Sequence, residues 1–185
     1  MSVPVGFVSL IETNHSLKQT IDFFKRQMIY IASDHAGFEL KNALCRHLAA
    51  SGRDVEDLGP YAYDPEDDYP DFILPAAEAV AANPGSLGVV LGGSGQGEAL
   101  AANKVEGVRA ALYYGGPRDI VSLSRTHNQA NILSLGARFL DEEEAIAVLE
   151  LWLETPYGRE ERHVRRINKV RAYEQKRAGG PAENS

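Results

Sequence analysis

The chain has 185 residues, enough for one domain with a sizeable core and short for two. Its hydrophobic fraction is 44%, its charged fraction is 24%, and its net charge of -7 disfavours nucleic acid or an anionic membrane as a partner. The single cysteine, Cys45, excludes an internal disulfide, and its helical context favours a small buried apolar role. No apolar run approaches the roughly 20 residues of a membrane span, no signal peptide is evident, and a cytoplasmic location is the default.

Strand and helix patterns alternate through the middle of the chain. Apolar runs predict five strands, over 28–33, 53–59, 87–92, 108–114 and 131–137. Helical patterns occupy 37–52, 70–83, 97–107, 117–127 and 141–154, with Gly52 ending the first and Pro75 marking a start or kink in the second. This alternation predicts an α/β fold with a five-stranded parallel sheet covered by helices on both faces. Ligands of such folds bind at the carboxyl ends of the strands, and we expect all the candidate residues to lie there.

The two ends of the chain differ from the middle. Residues 11–27 fit an amphipathic helix, and residues from 156 onward fit a charged helix that ends in "AGGPAENS". We therefore divide the chain into an N-terminal extension of unknown role (1–27), a domain that includes the basic C-terminal helix (28–175), and a flexible tail (176–185).

A glycine-rich loop, "LGGSGQGEALAANK", follows the third predicted strand. Glu98 and Ala99 replace the lysine and hydroxyl residue of a phosphate-binding Walker loop, so nucleotide triphosphate chemistry is disfavoured. The dinucleotide fingerprint fails at Glu98, and the nucleophile elbow fails at Gln96, which leaves Ser94 a poor nucleophile. Glycines at a helix start can still turn their amides toward one anion. A carboxylate beside such amides suits proton abstraction next to a carbonyl, whereas the alternative is a plain turn with an acid favoured by the helix dipole.

Other segments carry further candidates. Asp34 and His35 follow the first strand and suit a polar ligand, although Asp34 could equally cap the next helix. His127 is a candidate acid or base and Asn128 a donor, and the alternative is a histidine placed by the dipole at a helix C-terminus. Arg138, after the fifth strand, could bind an anion.

The C-terminal helix is basic along one face. Arg162 and Arg166 are one turn apart, with Arg165 beside them, and guanidinium groups suit phosphate. The alternative is a solvated charged helix. No cysteine, histidine or carboxylate spacing suggests a metal site.

Taken together, these segments resemble a known family. "IYIASDHAGFELKNAL", "DDYPDF", "GVVLGGSGQGEALAANKVEGVRAAL", "RTHNQANILSLGAR" and "RHVRRI" have the order and spacing of the type B ribose-5-phosphate isomerases, which belong with the lactose-pathway galactose-6-phosphate isomerases. The resemblance covers roughly Met28 to Glu174. It implies a Rossmann-like three-layer α/β/α sandwich that interconverts ribose 5-phosphate and ribulose 5-phosphate through an enediol(ate), without metal or cofactor.

The resemblance also assigns roles to residues. One subgroup carries a cysteine base where this chain has Gly92, and another, known from actinobacteria, has glycine there and a glutamate that matches Glu98. Glu98 would then be the base and His127 the acid that opens the sugar ring. The implied substrate contacts are Asp34, His35, Gly93, Ser94, Gly95, Gln96, Gly97, Asn128, Arg138, Arg162 and Arg166, with help from His163. The family implies a homodimer with sites shared between subunits, and in some relatives a tetramer.

Two alternatives stay open from the sequence. Pocket depth could favour a six-carbon sugar phosphate such as allose or galactose 6-phosphate. The second alternative is a non-catalytic domain that binds a sugar phosphate. The presence of both Glu98 and His127 argues against it. Residues 1–27 precede the usual start of the family's chains.

Overall fold

The computed structural model describes residues 27–178, and residues 1–26 and 179–185 lie outside its description. Five strands are described: β1 (Ile29–Ser33), β2 (Val55–Asp57), β3 (Leu87–Gly92), β4 (Ala110–Tyr113) and β5 (Ile132–Gly136). The six helices in the same range are α1 (Phe38–Ala50), α2 (Pro70–Ala82), α3 (Gln96–Ala102), α4 (Asp119–Asn128), α5 (Glu142–Glu154) and α6 (Glu161–Ala178). No helix in that range is long and apolar enough to cross a membrane.

The strands form one parallel sheet in the order β2-β1-β3-β5-β4. The chain first adds β2 on one side of β1 and then crosses to add β3 on the other side. The strand order therefore reverses between β1 and β3, and at such a switch point the loops that follow the two strands diverge and leave a crevice. The predicted α/β architecture is confirmed.

Alternating side chains build a core on each face of the sheet. Ile29 and Ile31 point to one face, where they pack with the buried sides of α1, α4 and α5. Tyr30 and Ala32 point to the other face and pack with α2 and the end of α3. The period of two along β1 thus produces the three layers that the sequence pattern predicts.

Helix α3 is shorter than its predicted span of 97–107, because it ends at Ala102. The amide of Asn103 donates to Ala99 O at 2.9 Å and to Ala110 O at 3.0 Å, and its oxygen accepts from Ala110 N at 2.9 Å. Asn103 therefore ties the helix end to β4, which competes with a further helical turn.

Two proline and glycine predictions have different outcomes. Gly52 adopts a φ of +73° just after α1, as expected of a residue that ends a helix. Pro75 lies inside α2, which begins at Pro70, so Pro75 does not mark the helix start.

The terminal assignments are only partly covered by the description. Helix α6 continues through Ala178, so residues 176–178 at the start of the predicted tail are helical. The rest of that tail and the predicted N-terminal helix, apart from Gln27, lie outside the described residues.

Candidate active site

Glu98 lies in the first turn of α3, with its carboxylate against the backbone of Gly92 at the end of β3. A Cβ added to Gly92 would lie 1.9 Å from Glu98 Oε1 and 2.1 Å from Cδ. The carboxylate therefore fills the space that any side chain at position 92 would need. Only 4% of Glu98 is exposed, an unusual degree of burial for a carboxylate that makes no ion pair within residues 27–178.

The environment of Glu98 favours its neutral form. Burial raises the pKa of this carboxyl, the nearby charge of Asp34 raises it further, and a hydrogen bond from the Glu98 backbone N–H opposes both. A carboxyl whose pKa is moved toward neutrality is a better proton acceptor at working pH than an ordinary glutamate.

Asp34 is a capping residue at the end of β1. Its Oδ1 accepts from Ala36 N at 2.9 Å and from Gly37 N at 3.1 Å, which caps the single 3-10 turn His35–Gly37. The capping interpretation of Asp34 is thus correct. Asp34 N also donates to Leu91 O at 3.2 Å on the neighbouring strand, and the Asp34 carboxylate is close enough to raise the pKa of Glu98.

His35 is held by Asp67, a residue that the sequence interpretation did not single out. Asp67 Oδ1 accepts from His35 Nδ1 at 2.7 Å and from His35 N at 3.1 Å. This hydrogen bond raises the pKa of His35, burial and Arg138 lower it, and Asp34 adds to the rise. Asp67 lies in the polar loop before α2, which has no helix or strand periodicity, so only the resemblance of the segment "DDYPDF" could have indicated it.

The glycine loop packs against the end of β5. Ser134 Oγ donates to Gly95 O at 2.7 Å, and Gly95 has a φ of +74°, in the left-handed region that favours glycine. A Cβ on Gly95 would lie 2.7 Å from Leu112 Cδ1 and 2.9 Å from the backbone of Leu135, so no side chain fits there. The loop is therefore fixed between β4 and β5 as it enters α3.

Arg138 lies directly over this loop. Ala137 N donates to Gly92 O at 2.8 Å and Arg138 N to Gly93 O at 3.1 Å, which extends the contact between β3 and β5 past the strand ends. A Cβ on Gly93 would lie 3.2 Å from Arg138 Cζ. We call the residues at this edge the carboxyl-edge group: Asp34, His35, Asp67, Gly93, Ser94, Gly95, Gln96, Gly97, Glu98 and Arg138.

A second set of predicted residues lies elsewhere. The imidazole of His127, at the end of α4, stacks on that of His163 with ring centroids 4.1 Å apart and planes 11° from parallel. Burial and the neighbouring His127 and Arg162 lower the pKa of His163. Arg162 Nε lies 3.2 Å from His163 Nε2 and 2.9 Å from Glu160 Oε2. We call the second set the amino-edge group: His127, Asn128, Arg162, His163 and Arg166.

The amino-edge group corrects our expectation that all candidates lie at the carboxyl ends of the strands. Helix α4 carries the chain back from the end of β4 to the start of β5, so its last residues lie at the opposite edge of the sheet. Helix α6 begins beside them, since Gly158 N donates to Thr126 O at 3.2 Å. The five residues of β5 separate the two edges by roughly 16 Å at 3.3 Å per residue, too far for one small sugar to touch both within one chain.

Two further titratable residues, Cys45 and His47, have structural roles. Cys45 is half-buried against the core, and burial raises the pKa of its thiol to about 11, so it is unreactive as predicted. His47 Nε2 pairs with Glu150 Oε1 at 2.8 Å between α1 and α5.

A model of the ribose/galactose isomerase family matches residues 29–170, and the chain belongs to that family. Ribose-5-phosphate isomerase B of Mycolicibacterium paratuberculosis is 44% identical over 153 residues, which cover 83% of this chain and 95% of the relative. The enzyme of the same name from Mycobacterium tuberculosis is 42% identical over 83% of this chain and 93% of its own length.

Solved structures agree with this membership. Ribose-5-phosphate isomerase B of Mycoplasma genitalium with bound ribulose-5-phosphate has a TM-score of 0.76 at 41% identity, over 80% of this chain and 96% of that one. The Clostridium thermocellum protein has the same TM-score at 38% identity, over 82% and 99% of the two chains. The family resemblance is confirmed, whereas the glutamate-base subgroup stays a prediction.

Proposed function

We propose that this chain interconverts ribose 5-phosphate and ribulose 5-phosphate, with Glu98 as the base. The observation that carries the proposal is the buried Glu98 carboxylate, which lies against Gly92 beside a glycine loop at the switch point of the sheet. The named relatives and the ribulose-5-phosphate complex of the Mycoplasma protein support the choice of substrate.

The chemistry moves one proton between two carbons. The Glu98 carboxylate accepts the C2 proton of the open-chain aldose while the C1 carbonyl oxygen takes up the electron pair, which gives an enediol(ate). The Glu98 carboxyl then returns the proton to C1 while the O2 proton passes to O1, which leaves a hydroxyl on C1 and a carbonyl at C2 and completes the ketose. Amide N–H groups of the glycine loop stabilise the negative oxygen, and the first turn of a helix has no internal acceptors for such groups.

Position 92 supports the glutamate-base subgroup. A cysteine there would place its Cβ where the Glu98 carboxylate lies, so the two bases exclude each other in space. A base can therefore reach the end of β3 in two ways. Either Glu98 extends over Gly92, as in this chain, or position 92 itself carries a cysteine base.

The two groups of candidate residues support a homodimer with shared sites. We propose that the carboxyl-edge group of one subunit meets the amino-edge group of the other, so that His127 assists ring opening and the arginines of both groups bind the phosphate. Exposed apolar side chains beside β4 and β5 support such a contact, and two of them, Tyr114 and Phe139, lie with ring centroids 5.8 Å apart. Because the amino-edge group includes the start of α6, this helix belongs to the catalytic domain.

An isomerase assay with the full chain tests the proposal. We expect turnover of ribose 5-phosphate, exchange of solvent hydrogen into the C1/C2 positions, and a fall in kcat of at least about 100-fold in Glu98→Gln. Allose 6-phosphate assayed in parallel decides between five-carbon and six-carbon substrates. Wild-type inactivity on every phosphorylated aldose would contradict the enzyme assignment, and full activity of Glu98→Gln would reject the proposed base.

A further inference from the structure

A cavity of about 420 Å³ opens at the amino edge of the sheet, away from Glu98. Its walls come from the start of β3, the residues before β4 and β5, the end of α4, and α6. The volume lies in the range of small-molecule sites. Three of its lining residues are arginines: Arg109, Arg125 and Arg171.

Each of these arginines uses only part of its guanidinium group within the described residues. Arg109 donates from Nε to Gln129 O at 3.0 Å and from Nη1 to Gly107 O at 3.1 Å. Arg125 donates from Nε to Thr155 O at 3.1 Å and from Nη1 to Ala130 O at 2.6 Å. These carbonyls hold the first two guanidinium groups in place, and the remaining Nη2 groups keep donor capacity.

Arg171 approaches the cavity from α6, where its Nη2 donates to Gln129 Oε1 at 3.2 Å. Its positive charge lowers the pKa of Arg109, and burial lowers it more. Three guanidinium groups thus converge on one cavity from α4, α6 and the residue before β4.

The cavity lacks matching negative charge in the part of the chain that the structure describes. No ion pair within 4 Å joins these three arginines to a carboxylate there. Glu174 is close enough to raise the pKa of Arg109, yet burial and Arg171 outweigh it. Burial lowers the pKa of Arg125 to about 10, Tyr157 opposes this effect, and Arg109 adds to it. A partly buried cluster of positive charge of this kind is stabilised by a bound anion.

We propose that this cavity is a second anion site, which binds small molecules that carry a phosphate group. Guanidinium groups suit phosphate oxygens, and donors that arrive from three directions fit a tetrahedral group better than a planar carboxylate. The Tyr157 phenol, also in the lining, supplies a further hydroxyl.

The site is separate from the amino-edge group. Arg125 precedes His127 by two residues, so the two side chains leave α4 about 200° apart. Arg171 lies eight residues after His163, or about 12 Å along α6. A ligand in the cavity therefore contacts both helices that carry the amino-edge group, near the end of α4 and within α6, without occupying the place of the sugar phosphate.

Calorimetric binding of inorganic phosphate to the full chain tests the proposal. The starting variant is Arg162→Gln/Arg166→Gln, which weakens the phosphate contacts proposed for the isomerase site. We expect it to keep one phosphate per subunit, with a Kd that Arg171→Gln raises at least about fivefold. Arg177→Gln removes the same charge from an exposed position on α6 outside the cavity lining, and we expect less than about a twofold change.

Three results would overturn the proposal. They are no phosphate binding by the starting variant, equal weakening by Arg171→Gln and Arg177→Gln, and equal affinity for acetate at matched ionic strength. Circular dichroism checks that each variant is folded, which we expect because Arg171 and Arg177 are exposed. The measurement needs no isomerase activity, so it stands whether or not the proposed reaction is correct.

Discussion

Burial of the ionisable Glu98 side chain makes the stability of the fold depend on pH. Its pKa is raised in the folded state, so the folded chain binds its proton more tightly than the unfolded chain does. The resulting stabilisation is fully present below the ordinary glutamate pKa and is lost as pH rises through the raised value. At neutral pH the ionised carboxylate is therefore a cost to the fold.

Glu98→Gln should consequently be at least as stable as the wild type at neutral pH, while it is inactive. Urea unfolding at neutral pH and again below the ordinary glutamate pKa checks this, because the advantage should vanish in acid. Glu78→Gln, on the exposed side of α2, removes the same charge and should show no such pH-dependent difference. A variant less stable than the wild type at neutral pH would mean that the carboxylate makes favourable contacts there.

Gly92→Ala tests the space that Glu98 occupies. The added Cβ would lie 1.9 Å from Oε1, so the carboxylate must move away from the site. We expect kcat to fall by at least about 100-fold, close to the loss in Glu98→Gln. The double variant Gly92→Ala/Glu98→Gln should lose little more, since both changes remove the same group. Additive losses would show that Gly92 acts independently of the base.

Asp67→Asn tests whether Asp67 positions His35 and keeps it protonated. Loss of the charged hydrogen-bond partner lets the pKa of His35 fall. As pH rises, the imidazolium of the variant therefore loses its proton at a lower pH than that of the wild type. If substrate binding uses the protonated ring, the alkaline fall of kcat/KM should move to lower pH, with KM affected more than kcat. Asp68→Asn, at the exposed neighbouring position, should leave the profile in place. An unshifted profile in Asp67→Asn would limit Asp67 to a structural role.

At the scale of elements, one arginine joins α4 to the chain around it. Arg125 is 5% exposed, donates to Ala130 O and Thr155 O, and lies over the Trp152 ring at 5.0 Å. These contacts connect the end of α4 both to the strand that follows it and to the segment before α6. They hold together the two helices that carry the amino-edge group.

Arg125→Met should lower the free energy of unfolding by about 2–4 kcal/mol, because two buried carbonyls lose their donors. Denaturant unfolding measures the change. Arg118→Met, at the start of the same helix, removes an exposed arginine that pairs with Glu144, and its stability should stay near that of the wild type. Equal stability of Arg125→Met and the wild type would show that water replaces the lost donors.

At the scale of the molecule, subunit mixing tests the shared site. Glu98→Gln and His127→Ala subunits should each be inactive, yet mixed dimers contain one site with both native residues. Random exchange of equal amounts should restore about one quarter of the wild-type activity, since half of the dimers are mixed and each has one intact site of two. Isomerase assays after mixing, with exchange followed by native mass spectrometry, measure this. No recovery despite confirmed exchange would place both residues in one subunit's site.

The sequence by itself determined the layers of the fold and most of the candidate residues. Continuous apolar runs indicate strands buried on both faces, and the failure of the two nucleotide-binding motifs at Glu98 isolates an acid beside a glycine loop. These conclusions rest on local pattern, and local pattern is what a sequence displays directly. Only the tertiary structure decided which of those residues lie together.

The direction of α4 places His127 at the edge opposite Glu98, because a parallel sheet returns the chain across its full height between strands. The contact of Asp67 with His35 joins residues 32 positions apart in the chain, through a loop that has no periodic signal. Any side chain at position 92 would clash with the Glu98 carboxylate, which lies six residues later in the chain and turns back onto the strand. Tertiary packing fixes all three arrangements, and no local sequence pattern specifies them.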